Sequence, residues 1–421
     1  MTKDIIRFSG GGVIGEIIPP PSKSHTHRAF LLSALSSTES KITNALDSQD
    51  TRATLKIAEV IGADVRRTYG NIVIRNERLQ APEDIVDAEN SGTTMRLFAG
   101  IASMFDSPVT ITGDASLRSR PMGPLLDALS SMNVKCTSNG GKAPVTICGP
   151  NNGGNVVIPG NISSQFISSL MMVAPMLQND SEIHITGDLS SRPYVNITAD
   201  IMERLGADVM IEGSDIRVKG RTGYEGCDIC VPSDMSSAAF PLVAGALGGS
   251  VTVKNMDMND PQGDKMIIDI LRNAGANVSV NGDKITSSSD ILNGMDVNMS
   301  DVPDLFPIVA VLLSTAKGRS RLYGAPQLRF KESDRIMATV NMLSALGADI
   351  TGTDDGCVIN GVKRLKGGRI EHHEDHRILM AAAVASLVCD NDVTMVKSNC
   401  YDVSYPLFIE HMNELGMLTE V

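Results

Sequence analysis

The sequence predicts an α/β protein of two domains, each built from three copies of one helix–strand–helix–hairpin unit. Three observations carry that expectation. A short motif recurs along the whole chain, an apolar helix stands ahead of every copy, and prolines cluster at two points in the repeat phase.

Ile61-Gly62-Ala63-Asp64-Val65 returns as Leu205-Gly206-Ala207-Asp208-Val209 and as Leu346-Gly347-Ala348-Asp349-Ile350. Ala274-Gly275-Ala276-Asn277-Val278, Met132-Asn133-Val134 and Leu415-Gly416-Met417 are weaker copies. Self-similarity at a spacing of roughly 70 residues marks a repeated supersecondary unit. Each copy closes an amphipathic helix, and its Gly suits the left-handed position that ends helices. After most copies, two alternating runs flank a turn such as Tyr69-Gly70-Asn71, Glu212-Gly213-Ser214 or Asp354-Asp355-Gly356, which predicts a hairpin. The last copy, at Leu415, is expected to have none.

The segments 29–35, 97–104, 166–177, 238–247, 305–313 and 378–388 are apolar almost all round. Helices of that kind are buried. A β-rich run follows each, at 41–43, 109–112, 182–186, 250–253, 319–322 and 392–396. Six units divide into two domains of three. Pro19-Pro20-Pro21 cannot lie inside a helix, and Val231-Pro232-Ser233 is the second candidate crossing. The expected domains are 21–231, and 1–20 together with 232–421.

A chain of 421 residues can fill two cores. A net charge of −12 argues against nucleic acid or a membrane surface as the main partner, so an anion site must be a local concentration of Arg and Lys. Residues 1–12 lack the apolar core of a secretory signal, and the apolar runs are too short to span a bilayer. Seven scattered cysteines suggest reduced thiols and a cytoplasmic home. Cys227 and Cys230 form a lone CxxC without a second pair, better read as two thiols in a strand than as a zinc site. Gly10-Gly11-Gly12 is not followed by the Lys-Ser/Thr of a phosphate-binding loop.

The chemistry collects at the starts of the six buried helices. They read Ser22-Lys23-Ser24-His25-Thr26-His27-Arg28, Asn90-Ser91-Gly92-Thr93-Thr94-Met95-Arg96, Ser163-Ser164-Gln165, Ser233-Asp234-Met235-Ser236-Ser237, Asp301-Val302-Pro303-Asp304 and Glu374-Asp375-His376-Arg377. Ser, Asn and Asp are ordinary N-caps, and capping alone accounts for Ser233–Ser237. It does not account for Lys23, Arg28, His376 and Arg377. Cations, hydroxyls and helix N–H groups together bind phosphate and carboxylate. Arg118, Arg120 and Arg192 add cations at strand ends. If equivalent helix ends converge in each domain, two such faces would form a cationic cleft. His372, His373 and His376 are dense, but without a Cys cluster they favour an acid or anion-contact role for His376 over a metal.

The stretch Arg329-Phe330-Lys331-Glu332-Ser333-Asp334-Arg335 repeats the theme, with three cations and two carboxylates in seven residues. A helix beginning near Glu332 would place Lys331 and Arg335 on about the same side of its first turn. Cations there oppose the helix dipole by roughly 0.3–1 kcal/mol each when exposed. A solvated charged face is the plain reading; a polyanion site with a carboxylate beside it for proton transfer is the functional one.

Ser22-Lys23-Ser24…Arg28, Asn90-x-Gly92-Thr93-x-x-Arg96, Arg120-Pro121, Ser163-Ser164-Gln165-Phe166, Lys331-Glu332-x-Asp334-Arg335 and Asp375-His376-Arg377 together resemble the motifs of the 5-enolpyruvylshikimate-3-phosphate synthase family, in that family's order and over nearly the whole chain. The resemblance implies a two-domain enolpyruvyl transferase fold of three βαβαββ units per domain. It implies transfer of the enolpyruvyl group from phosphoenolpyruvate to shikimate 3-phosphate, with no metal and no organic cofactor. It assigns shikimate 3-phosphate to Lys23, Ser24, Arg28, Ser163, Ser164, Gln165, Ser191, Tyr194, Asp304, Gln327 and Lys331. It assigns phosphoenolpyruvate to Lys23, Gly92, Arg120, Gln165, Arg335 and Arg377. Catalysis falls to Asp304, Lys331, Glu332, Lys23 and His376, with Asp304 as the base for the 5-hydroxyl and Glu332 or Lys331 as the acid. A monomer is expected.

Three departures stand out. Some members have a Lys before the Ser/Thr-aromatic-Pro near the last helix, where this chain has Val403 before Ser404-Tyr405-Pro406. Gln327 stands where some have Asn, and Leu97 where several have Pro. The sister enzymes that use UDP-N-acetylglucosamine as acceptor have Lys-Asn in place of Lys23-Ser24 and a reactive Cys in the loop matching Asp114–Arg120, which this chain lacks. A non-catalytic anion-binding repeat protein would explain the cations but not Glu332 and Asp304 among them.

Overall fold

Helices and four-stranded sheets alternate along the chain in a six-fold rhythm. The computed structural model describes residues 4–420. Two compact units emerge, one from Met1–Pro20 with Pro232–Val421 and the other from Pro21–Val231. They are called the split unit and the continuous unit below.

The continuous unit contains α1 (Lys23–Ala34), α2 (Gln49–Val60), α3 (Gly92–Ala102), α4 (Gly123–Ser131), α5 (Ser164–Val173) and α6 (Arg192–Arg204). The split unit contains α7 (Met235–Gly248), α8 (Ile267–Ala274), α9 (Phe306–Ser314), α10 (Arg335–Ala345), α11 (His376–Ala385) and α12 (Phe408–Glu414). The odd-numbered helices are the expected apolar ones, and their side chains form the two cores: Phe30, Phe98 and Phe166 in one unit, Phe240, Phe306 and Leu379 in the other. Burying each such side chain is worth roughly 1.5–3 kcal/mol, which makes these helices the centre of each fold.

The even-numbered helices end as the motif requires. Gly62, Gly206, Gly275, Gly347 and Gly416 all take positive φ, between 86° and 105°. The copy without Gly uses Asn133 at φ 64°. Asn is the residue besides Gly that most readily accepts that conformation, because its amide bonds locally. That explains why the weak copy still ends its helix.

All six sheets share one order: an edge strand, the strand after the buried helix, the second hairpin strand, then the first. In the sheet containing Gly154–Pro159, that edge strand runs parallel to Ser181–Thr186, paired Gly154 with Ser181. Parallel neighbours need a crossover, and α5 supplies it. Five hairpins close with two-residue turns, such as Tyr69-Gly70 between Asp64–Thr68 and Asn71–Arg75. Both turn residues have positive φ, the geometry that matches strand twist.

The sixth unit departs from expectation. Leu415-Gly416 was expected to lack a hairpin, yet Leu418–Glu420 pairs antiparallel with Ile5–Ser9, Phe8 facing Thr419. The N-terminal segment therefore supplies the second hairpin strand without a connecting turn. The next strand, Val13–Ile17, pairs parallel with Gly249–Val253 and opens another unit. In the continuous unit, Asp228–Cys230 likewise closes the first sheet by pairing with Ser40–Thr43. The split unit thus ties its N- and C-terminal strands into its own sheets, and the continuous unit does so with its C-terminal strand, which no local pattern announces. Among the described residues no helix is long and apolar enough to cross a membrane.

Candidate active site

Five of the six buried helices start with a side-chain cap. Ser22, Ser91, Ser163, Asp234 and Asp375 accept from the backbone N–H groups of His25, Thr94, Gln165, Ser236 and Arg377. The caps leave the residues just inside each helix free to carry chemistry. α9 is entered instead through the 3-10 turn Pro303–Leu305, which carries Asp304.

In the continuous unit, Arg28 is 1% exposed and bridges three helices. Nε donates to Thr198 Oγ1 at 2.7 Å, Nη1 to Ser24 O at 3.0 Å, and Nη2 to Ser168 Oγ and Tyr194 O at 3.2 Å each. Among the described residues no carboxylate neutralises it, and burial pulls its pKa down to about 10. Lys23, at the start of the same helix, pairs with Asp50 of α2 at 3.0 Å. Arg96 of α3 donates to Gln165 Oε1 at 2.9 Å and lies over the Phe166 ring at 5.2 Å. Gln165 Nε2 in turn donates to Thr93 Oγ1 at 2.8 Å, and Ser163 Oγ faces Arg96 at 3.5 Å. Arg28 thus joins Ser24 to Ser168 of α5 and to Thr198 and Tyr194 of α6, Lys23 is joined to α2, and Gln165 and Ser163 are joined to α3.

Arg120 donates from Nη2 to Asn90 Oδ1 at 3.1 Å and to Ser116 Oγ at 3.4 Å. It lies against Gly92: a Cβ at that glycine would stand 3.0 Å from Arg120 Nη1. A side chain there would push the guanidinium, which is a physical reason for Gly at this point. Ser191 is buried at φ 60°, an uncommon conformation for a non-Gly residue. Such strain of about 1–3 kcal/mol persists where surroundings enforce it, commonly at ligand sites. Ser164 is buried one residue inside α5.

In the split unit, Arg335 is the hub. It is also 1% exposed, and three carboxylates hold it. Nε donates to Asp375 Oδ2 at 3.0 Å, Nη1 to Asp304 Oδ1 at 2.9 Å, and Nη2 to Glu332 Oε2. Arg377 Nη2 donates to Asp304 Oδ2 at 3.1 Å, and Lys331 Nζ stands 3.7 Å from Asp304 Oδ1. Burial alone would raise the Asp304 pKa, but Arg377, Lys331 and Arg335 outweigh it and hold the carboxyl well below its usual range. Burial likewise opposes the Arg335 charge, and Asp375, Glu332 and Asp304 outweigh it.

One local expectation is corrected. α10 begins at Arg335, not near Glu332, because Asp334 is its N-cap and accepts from Met337 N at 3.1 Å. Lys331 therefore precedes the helix, at the end of the 3-10 segment Pro326–Phe330, instead of sharing a helical face with Arg335. The dipole penalty on Arg335 is offset by its three carboxylates. Gln327 is buried in that segment; its Nε2 donates to Ser300 O at 3.4 Å, while its Oε1 has no hydrogen-bond partner among the described residues. His376 is the buried first residue of α11.

Sequence reasoning gave no role to Asp50 or Asp264, and none beyond motif membership to Asp375. Nothing in a single sequence marks an aspartate whose partner lies 27 or 40 residues away. His372, Glu374 and Cys400 offer ligand atoms within 4.8 Å of one another. Both His372 ring nitrogens are engaged, one with Val396 O and one with Glu374 N, which does not suit a metal.

The family described as EPSP synthase (3-phosphoshikimate 1-carboxyvinyltransferase) matches residues 9–412. A 3-phosphoshikimate 1-carboxyvinyltransferase of Methanocorpusculum labreanum is 47% identical, covering 96% of each chain. That of Methanocella arvoryzae is 40% identical, covering 99% of this chain and 100% of the relative. An EPSP synthase structure from Acinetobacter baumannii superposes with a TM-score of 0.82 at 29% identity over the full length of both chains. The chain belongs to the EPSP synthase family.

Proposed function

We propose that the chain transfers the enolpyruvyl group of phosphoenolpyruvate to the 5-hydroxyl of shikimate 3-phosphate by addition and elimination, releasing phosphate. Full-length similarity to 3-phosphoshikimate 1-carboxyvinyltransferases supports the reaction class. The observation that carries the residue assignments is Asp304 held among Arg335, Arg377 and Lys331.

In this reading Arg335, Arg377, Arg120 and Lys23 hold phosphoenolpyruvate, with Gly92 and Gln165 beside it. Lys23, Ser24, Arg28, Ser163, Ser164, Gln165, Ser191, Tyr194, Gln327 and Lys331 hold shikimate 3-phosphate. The protein takes four of the five guanidinium N–H groups of Arg28, leaving the second proton of Nη1 for a ligand oxygen. Glu332 is committed to Arg335 as a carboxylate, which makes Lys331 the better acid for the methylene carbon. Asp304 takes the 5-hydroxyl proton. Its resting basicity is low because cations surround it. An incoming anion that draws Arg377 and Lys331 toward itself restores that basicity, so the base is released by the ligand it serves. The arginines then stabilise the departing phosphate, and His376 contacts the anion beside Arg377. We further take the enzyme as a cytoplasmic monomer without metal or organic cofactor.

The test is phosphate release from phosphoenolpyruvate with either acceptor. Release that requires shikimate 3-phosphate is the expected result. Release that requires UDP-N-acetylglucosamine, or tight binding of both ligands without turnover, would overturn the reading.

A further inference from the structure

Arg377 is the second residue of α11, and the chain enters that helix through a tight turn built without glycine. Asp375 N donates to His372 O at 2.9 Å, which closes the turn His372-His373-Glu374-Asp375. Its two central residues, His373 and Glu374, take φ 53° and 54°. Turns with positive φ at both centres are normally made by Gly, Asn or Asp, because other side chains crowd the backbone there. A His and a Glu keep that shape only where their surroundings impose it.

The buried ring of His372 imposes it, at 4% exposure. Nε2 lies 3.0 Å from Val396 O, on the strand Val393–Val396, and Nδ1 accepts from Glu374 N at 3.1 Å. A carbonyl only accepts and an amide N–H only donates, so the two contacts fit one form of the ring: Nε2 protonated and Nδ1 bare. On the far side, Glu374 Oε2 accepts from Ser398 Oγ, which accepts in turn from Cys400 N at 3.1 Å. What the turn delivers is Asp375, 0% exposed. Its carboxylate takes Arg335 Nε at 3.0 Å and Nη2 at 3.3 Å, Ser333 Oγ at 3.0 Å, and the N–H of Arg377 at 3.0 Å as the cap of α11. From that first turn of α11, Arg377 Nη2 reaches Asp304 Oδ2 at 3.1 Å. A turn that shifts therefore carries both arginines with it.

We propose that His372 is a positioning residue for phosphoenolpyruvate: its bare Nδ1 holds the Glu374 N–H, and with it the strained turn that sets Asp375, Arg335 and Arg377. This rests on the assignment of the two arginines to phosphoenolpyruvate. Without the Nδ1 acceptor the turn relaxes to less crowded backbone conformations, and apparent affinity falls with the fraction of molecules that keep the binding shape.

The test reads KM for each substrate in His372→Ala, His372→Asn and His372→Gln. Asn places its Oδ1 where Nδ1 stands and can accept from Glu374 N; Gln places its amide nitrogen near Nε2 and offers no acceptor there. His372→Ala and His372→Gln are expected to raise KM for phosphoenolpyruvate about tenfold, with His372→Asn within about threefold of wild type. KM for shikimate 3-phosphate should stay within about twofold in all three variants. An unchanged KM in His372→Ala overturns the proposal. So does an equal rise in all three variants, or in both KM values, since the ring would then only fill space. Wild-type protein without enolpyruvyl transfer would instead overturn the functional reading. Should the variants not fold, NMR of the wild-type imidazole nitrogens reads the contact directly. A bare Nδ1 coupled across the hydrogen bond to the Glu374 amide nitrogen is expected, and a protonated Nδ1 contradicts the proposal.

Discussion

Each unit buries one arginine completely, and the two are held in opposite ways. Arg28 of the continuous unit rests on hydroxyl and carbonyl oxygens. Arg335 of the split unit rests on three carboxylates. The same side chain at the same depth thus carries an uncompensated charge in one unit and an over-compensated one in the other. An unmatched buried cation is costly, and its cost is recovered when a ligand supplies the anion. A cation enclosed by carboxylates is instead a fixed strut that sets the directions of Asp304 and Asp375. We read Arg28 as charge held in reserve for substrate and Arg335 first as architecture, with ligand contact available only as its carboxylates yield.

The largest effect is expected where the strut meets the chemistry. Asp304→Ala removes the proposed base and the shared partner of Arg335, Arg377 and Lys331. Its kcat should fall by about two to four orders of magnitude, and near-full turnover would remove Asp304 from the mechanism. Arg335→Met comes next. It strips Asp375, Asp304 and Glu332 of their common partner, and unfolding of the split unit should lose roughly 3–5 kcal/mol in a urea titration. A loss below about 1 kcal/mol would mean that this cluster is no strut.

Arg28→Met is expected to behave in the opposite way. Ser168 and Thr198 remain hydrogen-bonded to each other at 2.8 Å, and Thr198 still donates to Tyr194 O at 2.9 Å, so removing Arg28 orphans little. Stability without ligand should hold or rise, while calorimetry should show shikimate 3-phosphate affinity reduced at least tenfold, the loss of one charge-assisted hydrogen bond of roughly 1.5–3 kcal/mol.

The acid limb of stability sharpens the contrast further. The folded pKa of Asp304 lies below its ordinary 3.8, so its contribution is present above that pH and lost as pH falls through the folded value. Urea midpoints between pH 5 and 2.5 should therefore drop for wild type and for Arg28→Met alike, and less steeply for Asp304→Asn. A variant slope equal to wild type would show that other carboxylates govern the limb.

Most of the fold was legible in the sequence because it is a repeat. The glycine-ended helices, the apolar helices before them and the strand runs recur six times, so a weak copy such as Met132-Asn133-Val134 is read through its stronger relatives. The exchange of strands at the chain ends was not legible, since Ile5–Ser9 finds its partners Val393–Val396 and Leu418–Glu420 almost the whole chain away. The site divides similarly. Motifs exposed the cations at helix starts, because such cations conflict with the local dipole. They did not expose what holds each one: Arg28 meets Ser168 and Thr198 at separations of 140 and 170 residues, and Arg335 meets Asp375 at 40. Helix α10 was started too early because Asp334 and Glu332 are both plausible first-turn acids, and only the bond to Met337 N distinguishes the cap.

The most direct measurement is urea unfolding of the continuous unit in Arg28→Met, with and without saturating shikimate 3-phosphate. Ligand at a hundred times its dissociation constant should stabilise the wild type by about 2.7 kcal/mol. The account predicts that the variant without ligand is at least as stable as wild type and that the same ligand concentration stabilises it by no more than about 1.4 kcal/mol, the value for a site ten times weaker. A variant that loses several kcal/mol without ligand, yet keeps the ligand-induced shift, would show that Arg28 is a strut like Arg335 and would contradict the comparison.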